Sequence, residues 1–166
     1  MIASVEGNVA ECGVLYGHSF GMLANLIVQE NKGRHLYGFD AWEGFRSDGV
    51  PTAPWESAYY AVDAAMAASF IPGDQITLAR GWFANTLPIV STGPLAFLHL
   101  DCDDGVAYET CLRVLWPRLA KGDIVVLDEY GSSKWTQARP VVDDFLQRQP
   151  KDGWNLVEDT RWYIQR

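Results

Sequence analysis

Short apolar runs alternate with stretches of helical spacing along most of the chain. "NVAECGVLYG" is an apolar run punctuated by glycines, and predicts a buried strand with its exit turn. "SFGMLANLIVQENKG" then places Leu23, Leu26, Ile27 and Glu30 at helical spacing, with Ser19 as the expected N-cap and Gly33 as the expected stop. "RHLYGFD" predicts a second strand that ends in Asp40. The segment from Glu43 to Glu56 carries prolines and glycines and predicts a loop, whereas the alanine-rich "AYYAVDAAMAASF" predicts a helix. "QITLARG" reads as a third strand, "WFANTLPIV" as a short helix or turn, and "GPLAFLHLD" as a fourth strand. That fourth run has almost no polar alternation, as expected for a strand covered on both faces. "AYETCLRVLWPRLAKG" predicts a helix that Pro117 kinks or ends, and "DIVVLDEY" a fifth strand. "ARPVVDDFLQRQ" predicts the last helix, before two final strands in "WNLVED" and "RWYIQR".

Apolar strands alternating with helices predict an α/β fold, a doubly wound, mostly parallel sheet with helices on both faces. With 166 residues, one domain over residues 1–166 is expected. Ligands of such sheets bind beyond the carboxyl ends of the strands. Glu11, Asp40, Asp101 and Asp128 all fall at or near such ends, so these acids should converge on one edge.

Composition narrows the partners. The formal charge of -8, without any run of Lys or Arg, disfavours nucleic acid. Nothing approaches the roughly 20 apolar residues of a membrane span. Cys12, Cys102 and Cys111 are odd in number and lack zinc-type spacing, so they read as reduced thiols. A cytoplasmic setting is the expectation.

The first acidic cluster concerns a nucleoside. In "AECGVLYGHS", Glu11 precedes Gly13 and Gly17, and the spacing is neither G-x-G-x-x-G nor that of a phosphate loop. NAD is therefore disfavoured. Asp40 stands where a carboxylate can accept hydrogen bonds from ribose hydroxyls. Glycines after a strand followed by this acid fit a nucleoside carried by a sulfonium better than one carried by a pyrophosphate.

The sequence resembles the class I S-adenosylmethionine-dependent methyltransferases (Rossmann-like), and within them the macrocin O-methyltransferase family. The matching stretches are "EGNVAECGVLYGHS", "LYGFDAWEGF", "RGWFANTLP", "LHLDCDDG" with "LWPRLAKGDIVVLDEYG", and "ARPVVDDFL", in the family's order. The resemblance implies that Glu11, Gly13 and Gly17 wall the amino acid end of the cofactor, with Ser19 in the same turn. Asp40 would hold the ribose, with Trp42 close by, and Gly81 and Trp82 would lie against the adenine. Ordinary core packing is an equal reading for Trp82. Family members usually carry helices ahead of the first strand, so those helices are expected to be short or absent here. The acceptor pocket would then be roofed by the segment from Glu43 to Glu56, with Arg46 and Trp55, or by another subunit of a homo-oligomer.

The second cluster lies in "LHLDCDDG" and "LDEY". Asp101 ends the fourth strand, and Asp128 with Glu129 ends the fifth. Neighbouring parallel strands lie roughly 4.8 Å apart, so carboxylates on adjacent tips can share one hard cation such as Mg²⁺. The resemblance also implies a divalent ion at Asp101, Asp128 and Glu129. A metal-assisted O-methyl transfer to a hydroxyl of a small molecule, such as a sugar of a secondary metabolite, follows, with Asp101 as ligand and general base. His99 reads as a second candidate base or as a packed core residue. Either Asp103 or Asp104 is expected to cap the next helix. A non-catalytic S-adenosylmethionine-binding module is the alternative, which the second acidic cluster disfavours.

Overall fold

In the computed structural model, residues 2, 4–43, 56–67, 71–150, 154–159 and 161–165 are described. Strand β1 (Asn8–Cys12) is followed by helix α1 (His18–Glu30), strand β2 (Leu36–Asp40) and helix α2 (Glu56–Ala67). Strand β3 (Ile76–Arg80), the one-turn helix α3 (Phe83–Thr86) and strand β4 (Leu95–Leu100) come next. Helix α4 (Gly105–Leu115), strand β5 (Leu119–Leu127), helix α5 (Ala138–Gln147) and strands β6 (Asn155–Glu158) and β7 (Trp162–Gln165) complete the order. The seven strands form one sheet in the order β3-β2-β1-β4-β5-β7-β6. The first five run parallel, and β7 joins β5 antiparallel as half of the β6–β7 hairpin. This is the doubly wound, mostly parallel α/β sheet expected from the sequence.

The core has two halves, one on each side of the sheet. Ala10, Cys12, Leu98, Leu100, Val125 and Leu127 point toward α4 and α5 and belong to the larger one. Val9, with Phe20, Ala24 and Ile27 of α1, belongs to the smaller. The period-2 alternation of a strand therefore puts Glu11, His99 and Asp101 on the α1 side, opposite Cys12 and Leu100. Gly38 lets α1 approach β2, since a Cβ there would lie 2.7 Å from the Phe20 ring.

Several boundaries differ from expectation for local reasons. Helix α1 is capped by Gly17 in the left-handed region (φ 76), one residue before His18, so Ser19 sits inside its first turn and not at the N-cap. The same helix stops at Asn31 (φ 52), ahead of Gly33, because asparagine also tolerates that conformation. Asp104 occupies the N-cap position of α4, without a side-chain capping bond. Pro117 does end α4, which closes in a 3-10 turn over Trp116–Arg118. The expected roof, with Arg46 and Trp55, lies outside the described residues.

Candidate active site

The parallel strands deliver their acids to one edge. Asp40 is the last residue of β2, Asp101 follows β4, and Asp128 follows β5. The register pairs Leu100 with Leu127, and the Asp128 N–H donates to the Leu100 carbonyl at 3.0 Å, so Asp101 and Asp128 leave adjacent strands at the same end.

A cavity of about 440 Å³ opens at the tips of β1, β2 and β4. Its floor is the β1 exit turn from Gly13 to Tyr16, and its sides include Ser19, Asp40, Trp82 and Asp101. Gly13 has φ 93, and a Cβ there would lie 1.7 Å from the Asp101 carbonyl oxygen, so only glycine permits this crossing of β1 and β4. Asp40 organises the turn. One carboxylate oxygen accepts the Val14 and Leu15 N–H groups at 2.9 and 2.8 Å, and the other accepts the Trp42 N–H at 2.8 Å. The buried Trp42 indole donates to the Leu15 carbonyl at 2.9 Å, which ties both ends of the rim together. Trp82 is 37% exposed, so its ring is a cavity wall more than a core element.

The remaining residues expected at the cofactor stand behind the lining. Glu11 is fully buried, and one of its oxygens lies 2.7 Å from His99 Nδ1 while the other has no hydrogen-bond partner among the described residues. Burial acts to lower the His99 pKa, but the Glu11 hydrogen bond and the charges of Glu11, Asp101 and Asp128 outweigh it, and the net shift is upward. Gly17 caps α1 and packs on Val62, and Gly81 packs on Thr86.

The second acidic group meets the cavity at Asp101. Among the described residues, one oxygen each from Asp101, Asp103 and Glu129 can be chosen with all three within 4.8 Å of one another. Glu129 is 2% exposed and accepts from the Tyr108 hydroxyl at 2.6 Å and the Cys102 N–H at 3.3 Å. Burial, the hydrogen bond to Glu129 and the charges of Glu129 and Asp128 push the Asp101 pKa up to about 7. Asp128 is close enough to add that charge, while its own Oδ1 lies 3.4 Å from Arg161 Nη1. Asp103 adopts φ 59, in the left-handed region that aspartate tolerates, and its carboxylate joins this group. No periodicity marks such a position. Trp135, which no sequence pattern marks, lines this cavity and a second one beyond Asp128.

The family model for macrocin O-methyltransferases matches residues 1–153. The 8-demethyl-8-(2,3-dimethoxy-alpha-L-rhamnosyl)-tetracenomycin-C 4'-O-methyltransferase of Streptomyces olivaceus is 31% identical over 87% of this chain and 59% of its own length. The mycinamicin III 3''-O-methyltransferase of Micromonospora griseorubida is 35% identical over 34% of this chain and 22% of its own. The chain thus spans less than two thirds of the length of either curated relative. Among solved structures, the O-methyltransferase NovP aligns with a TM-score of 0.81 at 21% identity, covering 98% of this chain and 73% of NovP. The calicheamicin methyltransferase CalS11 aligns with a TM-score of 0.75 at 21% identity, covering 99% of this chain and 74% of its own. These two share the fold, a Rossmann-like class I methyltransferase sheet. With 153 of its 166 residues matched by the family model, the chain belongs to the macrocin O-methyltransferase family.

Proposed function

We propose that this chain is the donor-binding and catalytic core of an S-adenosylmethionine-dependent O-methyltransferase, and that its acceptor is a sugar hydroxyl of a secondary metabolite. The supporting observation is the meeting of a nucleoside-sized cavity with a carboxylate whose pKa is about 7, both at Asp101. Both curated relatives carry names of O-methyltransferases, one of them acting on a rhamnosyl-tetracenomycin.

In this reading Gly13 and the turn after it receive the amino acid end of the donor, with Glu11 and Gly17 shaping that turn from behind. Asp40 faces the ribose, and Trp42 holds the rim. Trp82 forms the adenine side, with Gly81 behind it. Asp101, which lines the cavity, accepts the proton of the acceptor hydroxyl.

The acidic group of Asp101, Asp103 and Glu129 is all oxygen and fits a hard divalent cation such as Mg²⁺; Asp128, expected from the sequence as a third ligand, lies outside that group with its Oδ1 3.4 Å from Arg161. When bound, such an ion lowers the pKa of a hydroxyl beside it. Tyr108 and the Cys102 N–H hold one Glu129 oxygen in place. The methyl group then passes to the acceptor oxygen in line with the leaving sulfur, with positioning as the main source of rate.

Isothermal titration with S-adenosylmethionine, with and without Mg²⁺ and an acceptor glycoside, tests this reading. We expect the donor to bind and Asp40→Ala to weaken it at least about tenfold. Absence of donor binding would overturn the reading. Donor binding without any methyl transfer or metal effect would favour a non-catalytic binding module instead.

A further inference from the structure

Charge is unevenly shared around the donor cavity. Asp40, Asp101 and Asp103 line it, and these three carboxylates hang on β2 and β4, the two neighbours of β1. Asp40 is already engaged by the backbone N–H groups of Val14, Leu15 and Trp42. Burial and the charge of Asp101 together raise the Asp103 pKa, so a further anion beside these two is opposed. His18 is the one basic side chain in the described lining. It follows β1 as the first residue of α1, is exposed, and has no hydrogen bond or ion pair among the described residues.

The start of α1 sharpens the contrast. Gly17 caps the helix without a side chain, and the first turn holds no acid. The Gly21 N–H donates to the Gly17 carbonyl at 2.8 Å, so the N–H groups of His18, Ser19 and Phe20 precede the first bond along the helix. Ser19, not needed as the N-cap, keeps its hydroxyl for the cavity that it lines. A carboxylate beside His18 meets a ring N–H, a hydroxyl and the positive end of a 13-residue helix. Beside Asp101 and Asp103 it would meet only like charge.

S-adenosylmethionine carries one anionic group, the carboxylate of its methionine end, together with an ammonium and a sulfonium. Resting on the methyltransferase reading above, we propose that His18 holds this carboxylate and makes the site selective for the intact amino acid donor over its decarboxylated form. The two cationic groups of the donor are left to the acidic side of the cavity, where opposite charge favours them.

The test titrates two probes by calorimetry, S-adenosylmethionine and decarboxylated S-adenosylmethionine, which keeps the nucleoside, the sulfonium and the ammonium. The wild type should bind the intact donor at least about tenfold more tightly. His18→Ala should weaken the intact donor by about tenfold and leave the decarboxylated one within about threefold. Because His18 is exposed, this substitution leaves the core untouched. His18→Arg, which restores a donor group of positive charge, should recover most of the selectivity. A merely structural role for His18 would move both probes together. Equal binding of the two probes by the wild type would overturn the proposal and leave the methyltransferase reading standing. So would an unchanged preference in His18→Ala. A wild type that binds neither probe would remove the reading beneath it.

Discussion

Gly13 carries the tightest steric requirement at the site, with the Asp101 carbonyl oxygen 1.7 Å from where a Cβ would sit. Gly13→Ala must therefore push β1 and β4 apart at their tips, at a φ of 93 that alanine also resists. The expected result is a lower melting temperature together with loss of donor binding by at least about tenfold, checked by calorimetry on the folded fraction. Unaltered affinity would mean that the turn does not touch the donor. Gly13 and Asp40 were legible in the sequence because a glycine after a strand and an acid at the next strand's end are local patterns. Asp103 was not, since its placement depends on a left-handed backbone turn that no local pattern marks. Nor did any pattern reveal the pairing of Glu11 with His99, which lie 88 positions apart and meet only through the β1–β4 register.

Between elements, α4 is tied to the tips of β4 and β5 by one side chain. The fully buried Tyr108 hydroxyl lies 2.9 Å from the Leu100 carbonyl and 2.6 Å from Glu129 Oε2. Tyr108→Phe leaves these buried acceptors short of a donor, at a cost of about 1–3 kcal/mol, read from chemical denaturation. The same variant should weaken Mg²⁺ binding, because Glu129 is then less firmly oriented; stability lost with unchanged metal affinity would reduce Tyr108 to a packing role. Element order was legible from apolar runs and helical spacing, as the five parallel strands show. Helix ends were less so, since Gly17 and Asn31 cap α1 through backbone conformation while Ser19 offered only a suitable side chain.

Across the whole molecule the strand-edge acids set a dependence of stability on pH. Folding raises the Asp101 pKa from 3.8 to about 7. Between those values the folded state keeps a proton that the unfolded state has released, so this group makes stability fall as pH rises through that window. A divalent cation bound at the proposed site would replace the proton and remove the penalty. Melting temperature at pH 7 should therefore rise on adding Mg²⁺, by an amount on the order of 2–4 °C for each kcal/mol gained. Asp101→Asn should melt higher than wild type without the ion and respond to it weakly. A wild-type melt indifferent to Mg²⁺ would remove the metal from the account. The acidic composition pointed toward this behaviour, but only the sheet order brings residues 101 and 129 together. The decisive measurement is methyl transfer from S-adenosylmethionine to a rhamnosyl-tetracenomycin, followed by mass spectrometry with Mg²⁺ present. One added methyl group is expected with the wild type, and none with Asp101→Asn although that variant still binds the donor. Undiminished transfer by Asp101→Asn would contradict it.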